Sequence, residues 1–148
     1  MLGVIRPDSW NLPLFLHVLG AMVLVGGLLV TSAAVAVARG DARLLRIGYL
    51  TLLVVCLPGY LVMRIGAEWI YSREQLNAAT DPAWVGIGYI TADAGALLLL
   101  IALVLGGIGL RRRRGGGGTG LLRASLVISV VLLAASVVTI WAMGAKPV

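Results

Sequence analysis

Charge is scarce in this chain. Of its 148 residues only 12% are Asp, Glu, Lys or Arg, while 60% are hydrophobic and the mean hydropathy is +1.03. Ordinary soluble domains are near a quarter charged, and a chain with so few charges cannot cover a water-facing surface. No stretch is long or polar enough for an extramembrane domain, which excludes a soluble NTPase, a Rossmann dehydrogenase and a DNA-binding module. The single cysteine, Cys56, excludes an internal disulfide, a Cys-based zinc site and an Fe–S cluster. The single histidine, His17, excludes a multi-histidine copper or zinc site. No Ser–His–acid spacing, HExxH pair or phosphate loop appears, so no catalytic or metal-ligating residue is assigned and a non-enzymatic protein is expected. Lysine is nearly absent as well. Eleven of the 12 basic residues are Arg, and this Arg-, Ala-, Gly- and Val-rich usage fits a GC-rich bacterial gene.

What the chain has is four long apolar runs, at about 12–38, 44–70, 84–110 and 121–143. Each exceeds the roughly 20 residues that cross a hydrocarbon core, and none alternates in polarity as a barrel strand does. The expected fold is all-α: one transmembrane domain over residues 1–148, a four-helix antiparallel bundle with short connections. Ala34-Val35-Ala36 and Ala36-Val37-Ala38 imitate a signal-peptidase site. The run before them is too long for a signal h-region, and Arg6 against Asp8 makes a poor n-region, so a retained span is expected.

Basic residues orient the bundle. Arg39, Arg43, Arg46, Arg111 to Arg114 and Arg123 fall on one side, and only Arg6, Arg64, Arg73 and Lys146 fall on the other. The positive-inside rule then predicts both termini outside, in a bacterial cytoplasmic membrane. Trp10, Trp69, Trp84 and Trp141 mark the outer interface, where indole rings prefer to sit. Arg111, Arg112, Arg113 and Arg114, followed by Gly115–Gly118, make a basic turn attractive to anionic lipid headgroups. The net charge of +6 is thereby spent on topology, and no nucleic-acid partner is expected. A homo-oligomer or a larger membrane complex is compatible with the pattern.

Close packing in lipid needs small residues. Gly20, Gly27, Thr31, Ala34 and Ala38 form such a stripe on the first span, and Gly88, Ala92 and Gly95 on the third. Ser125, Ser129, Leu132, Ser136, Thr139 and Met143 align on the fourth, and Tyr60, Arg64, Glu68 and Tyr71 on the second. Pro58 is expected to free a carbonyl in the second span. Leu44-Leu45-Arg46 and Leu121-Leu122-Arg123 hint at two repeated hairpins.

Ionisable residues inside a membrane are costly and by default functional. Counted inward from the tryptophans at about 1.5 Å per residue, Arg64 lies about 8 Å deep, His17 about 10 Å and Asp93 about 13 Å. Met63 shares their layer, and His17, Met63, Arg64 and Asp93 form the candidate cofactor-binding set. Two readings stay open. In one, Arg64 and Asp93 neutralise each other and hold two spans in register, with His17 bonded to a hydroxyl of the fourth span. In the other, the cluster is a small-molecule or cofactor pocket open to the outer leaflet, with His17 as ligand and Met63 as a weaker axial partner. A proton relay fits less well, since nothing ionisable continues inward.

Phe15-Leu16-His17-Val18-Leu19-Gly20 and Val25-Gly26-Gly27-Leu28 resemble the first helix of several small bacterial membrane families. These are the CopD-like copper-resistance domains, the HemJ-like protoporphyrinogen oxidases and four-helix integral membrane proteins of unknown function, the last being the nearest likeness. The HemJ-like resemblance implies haem binding at His17, and hence a haem-associated membrane redox protein as the alternative to a non-enzymatic one.

Overall fold

The chain is described by a computed structural model over residues 11–74 and 83–145. Helix α1 (Asn11–Val37) forms the first span. The second span is continuous but composite: α2 (Ala42–Thr51), a π-helical turn over Leu52–Cys56, then α3 (Leu57–Glu74). The third and fourth spans are α4 (Ala83–Arg112) and α5 (Thr119–Ala145), joined by a 3₁₀ turn over Arg113–Gly115. The architecture is an all-α four-helix bundle in which all four spans are long and apolar enough to cross a membrane. Trp10, Arg6 and Lys146, three of the residues that orient the bundle in the sequence, lie outside the described residues, as does Asp8.

The bundle is built inside out relative to a soluble one. Met22, Val54, Ile65, Ile90 and Val104 are all exposed, whereas Thr31, Ser125 and Ser129 are fully buried. In lipid the outward face costs nothing apolar, and small or hydroxylated side chains let backbones approach. Two of the buried hydroxyls bond within their own helix and the third bonds across to another. Thr31 donates to the Gly27 carbonyl at 2.8 Å, Ser129 to that of Leu126 at 2.5 Å, and Ser125 crosses to Ala102 at 2.6 Å.

α1 and α3 pack along their shared length, as do α4 and α5, and α1 also packs on α5. α3 and α4 barely touch. The α1–α3 contact is backbone on backbone. A Cβ on Gly20 would lie 2.2 Å from the Met63 nitrogen, one on Gly59 2.9 Å from that of Leu24, and one on Gly66 2.5 Å from that of His17. Glycines at a seven-residue interval on both helices, Gly20/Gly27 and Gly59/Gly66, keep the seam facing its partner over two turns.

Pro58 shapes the second span through the turn before it. Proline has no N–H to give its i−4 carbonyl, and the helix widens there: the Leu57 N–H reaches back to Leu52, five residues away. The two arginine-rich connections are short. Arg39 and Gly40 take positive φ (37° and 97°), after which Asp41 caps α2 by accepting from the Arg43 N–H at 2.8 Å. Arg113 donates to the Ala42 carbonyl at 2.8 Å, tying one connection to the other.

The two Leu-Leu-Arg tripeptides occupy equivalent places. Leu45 and Leu122 are both fully buried in one cluster with Ala38, Tyr49 and Leu126, and Arg46 and Arg123 are both exposed. Three residues after each Leu45 or Leu122 comes a small buried residue, Gly48 or Ser125.

Candidate functional site

Where α3 and α4 part company, the half of the bundle away from the arginine-rich connections holds a cavity of about 180 Å³. All four spans contribute to it. Its floor and walls are apolar, with Leu24, Leu28, Leu99 and Leu132 below and Ala21, Ala67 and Ala135 at the sides. The third-span residues Gly88, Ala92 and Gly95, expected from their size to bring helices together, line this space instead. A Cβ on Gly95 would have no neighbour closer than Leu132, at 3.7 Å. Small residues permit approach but do not compel it: at Gly95 the wall stands back, whereas a Cβ on Gly88 would strike the Met143 side chain of α5.

Three of the four candidate residues meet at the cavity. His17 on α1 and Met63 and Arg64 on α3 all line it. Asp93 does not: its side chain is 65% exposed and lies outside the wall, on the α4 flank facing α3. It is nevertheless joined to the site, because Arg64 Nη2 sits 2.9 Å from Asp93 Oδ1. The same Nη2 sits 3.0 Å from Glu68 Oε1, one turn along α3. The guanidinium also lies over the Tyr89 ring, 4.8 Å from its centroid, and Tyr89 packs edge-on against Tyr71 at 5.2 Å. Arg64–Asp93 therefore ties two helices that otherwise hardly meet. A second tie runs beside it, from Tyr60 Oη to the Ala92 carbonyl at 3.2 Å.

His17 bonds a different group from the expected hydroxyl. Its Nδ1 is 3.0 Å from the Met63 carbonyl oxygen, and no α5 hydroxyl is its partner. Ser136 and Thr139 of α5, which do line the cavity, donate instead to the carbonyls of Leu132 and Ala135 one turn back, at 2.8 and 2.9 Å.

This geometry bears on haem directly. Axial ligands must stand on opposite faces of the macrocycle, whereas His17 is hydrogen-bonded to the main chain of Met63 across helices in backbone contact. The cavity is also smaller than the roughly 300 Å³ at which pockets for drug-sized molecules begin. The His17/Met63 pair does not fit haem. Among the described residues no group of three His, Cys, Asp or Glu side chains is placed to hold a metal ion. Compared with protein-family models, with curated proteins and with solved structures, the chain matches none.

The layer of polar residues was legible by counting along the helices, and a pocket there was one of two open readings, but the apolar lining beneath it was not legible. Leu24, Leu28, Leu99 and Leu132 read as ordinary filling, and only the tertiary arrangement leaves space between them. The one hint was the run of small residues on the third span.

Proposed function

We propose that this is a non-enzymatic, multi-pass protein of a cell membrane, with its termini outside, that binds a small lipophilic molecule in the outer half of its bundle. The observation that supports the reading is the cavity itself: apolar walls from four spans, a few convergent polar groups at one end, and a helix seam beside it that is held by side-chain ties instead of packing. Concave, mostly apolar spaces with a few placed polar atoms are the default form of a small-molecule site. A guest would enter from the lipid between α3 and α4. On the opposite side, Arg111, Arg112 and Arg113 with Arg39, Arg43 and Arg46 would hold anionic headgroups and keep the bundle upright.

Toluene taken up by the purified protein in nanodiscs tests this. Saturable uptake beyond that of empty discs is expected, and Ala21→Leu, which fills the space, should abolish it while leaving the bundle as stable or more so. Uptake unaffected by Ala21→Leu, or none at all, would overturn the reading.

A further inference from the structure

Four of the hydroxyls around the cavity have used their protons. Tyr60 donates to the Ala92 carbonyl at 3.2 Å, Thr91 to Ile87 at 2.7 Å, Ser136 to Leu132 at 2.8 Å and Thr139 to Ala135 at 2.9 Å. A hydroxyl has one proton to give, so these four offer a guest only lone pairs. His17 follows the same logic. A carbonyl oxygen can only accept, so the 3.0 Å contact from Nδ1 to Met63 places the proton on Nδ1. In the neutral ring Nε2 is then an acceptor, and it has no partner among the described residues. Arg64 keeps donors as well: Nη2 serves both Glu68 and Asp93, and the guanidinium has further N–H groups.

Charge narrows the choice. A cationic guest would sit against the Arg64 guanidinium that lines the wall. An anionic guest would compete with two carboxylates already bound to that guanidinium, one of them reaching it from across the seam. Both contacts are penalised more heavily in an apolar surround than in water. A neutral guest meets neither penalty. Size sets a further limit, because apolar cavities of about 150 Å³ hold one benzene ring, and this one is about 180 Å³.

We infer that the cavity selects a neutral lipophilic alcohol or phenol of about one ring in size, its hydroxyl donating to His17 Nε2 and its body lying against Leu24, Leu28, Leu99 and Leu132. A hydroxyl can give its proton to the histidine and accept from Arg64, which neither an amine cation nor a carboxylate can do. This inference rests on the small-molecule reading above and adds the chemistry of the head group.

Four isosteric probes separate the possibilities: benzyl alcohol, toluene, benzylamine and benzoate, each titrated into the full chain in nanodiscs with empty-disc partitioning subtracted. Benzyl alcohol should bind about tenfold tighter than toluene, the scale of one good hydrogen bond, and tighter than either charged probe. His17→Phe keeps a ring but loses the acceptor. The readout is the ratio of benzyl alcohol to toluene affinity, which should fall to about one in His17→Phe and be partly restored by His17→Gln, whose amide oxygen accepts. Benzyl alcohol binding no better than toluene, a charged probe binding tightest, or a preference that survives His17→Phe would each overturn the inference while the cavity reading stands. Failure of all four probes to bind would remove that reading and this one with it.

Discussion

Arg64 shows how much one side chain can organise in a membrane. It is only 25% exposed, lies against the Tyr89 ring, and divides a single nitrogen between Glu68 and Asp93. Asp93 has no other ion-pair partner among the described residues, whereas Glu68 lies beside Trp69 toward the C-terminal end of its helix. The two carboxylates are therefore unequal partners. Removing Arg64 leaves Asp93 as an uncompensated charge within a membrane-spanning segment, and removing Asp93 leaves Arg64 held by Glu68. Arg64→Leu should accordingly destabilise the bundle more than Asp93→Leu. The double variant should recover part of the loss, with a coupling energy on the order of 1–2 kcal/mol, measured by chemical unfolding in mixed micelles. Strict additivity would show that the α3–α4 tie contributes nothing. Depth counting placed Arg64 and Asp93 in one layer, and opposite charges in one layer seek each other. The partner of His17 was beyond that reasoning, since a main-chain carbonyl leaves no mark in the sequence.

Among the helices, glycine means different things on different faces. Gly20 and Gly26 stand less than two turns apart on α1, yet a Cβ on Gly20 would strike the Met63 backbone and the Gly59 carbonyl, while one on Gly26 would meet nothing within 4 Å. Backbone atoms of a packed helix cannot step aside as a side chain can. Gly20→Ala should cost about 1–3 kcal/mol, as overpacking does, and should loosen α1 from α3. Gly26→Ala should be neutral or slightly stabilising through helix propensity, by up to about 1 kcal/mol. Equal responses in thermal unfolding would refute the seam described here. The π turn belongs to this scale too. Pro58 announced a missing hydrogen bond, but whether a helix answers with a bend or with an extra residue in one turn depends on what packs around it. Here Cys56 at the end of that turn is fully buried against Gly27.

At the scale of the whole molecule the charges set the direction. Among the described residues, Arg39, Arg43, Arg46, Arg111, Arg112, Arg113 and Arg123 cluster at one end of the bundle, and the helix ends at Asn11, Glu74, Ala83 and Ala145 share the other. On a Cys56→Ala background, a cysteine replacing Ala145 should react with an impermeant maleimide in intact cells and one replacing Gly117 should not. The reverse pattern would turn the bundle over and move the cavity to the inner leaflet. Wild-type Cys56 itself should stay unlabelled until the protein unfolds, because its side chain is fully buried.

The number of spans, their approximate limits, the helical class and the layer holding His17, Arg64 and Asp93 all follow from the order of residues. Hydropathy, length and axial spacing are properties of a single helix and need no partner to express themselves. The tertiary structure decided what depends on two helices at once. It set which small residues touch and which stand back, gave Arg64 two carboxylates, turned His17 to a carbonyl, and left a cavity where α3 and α4 part. The physical reason is that lipid does not drive helices together. Rotation and separation of the spans are set by local contacts among them, and those contacts exist only in the folded bundle.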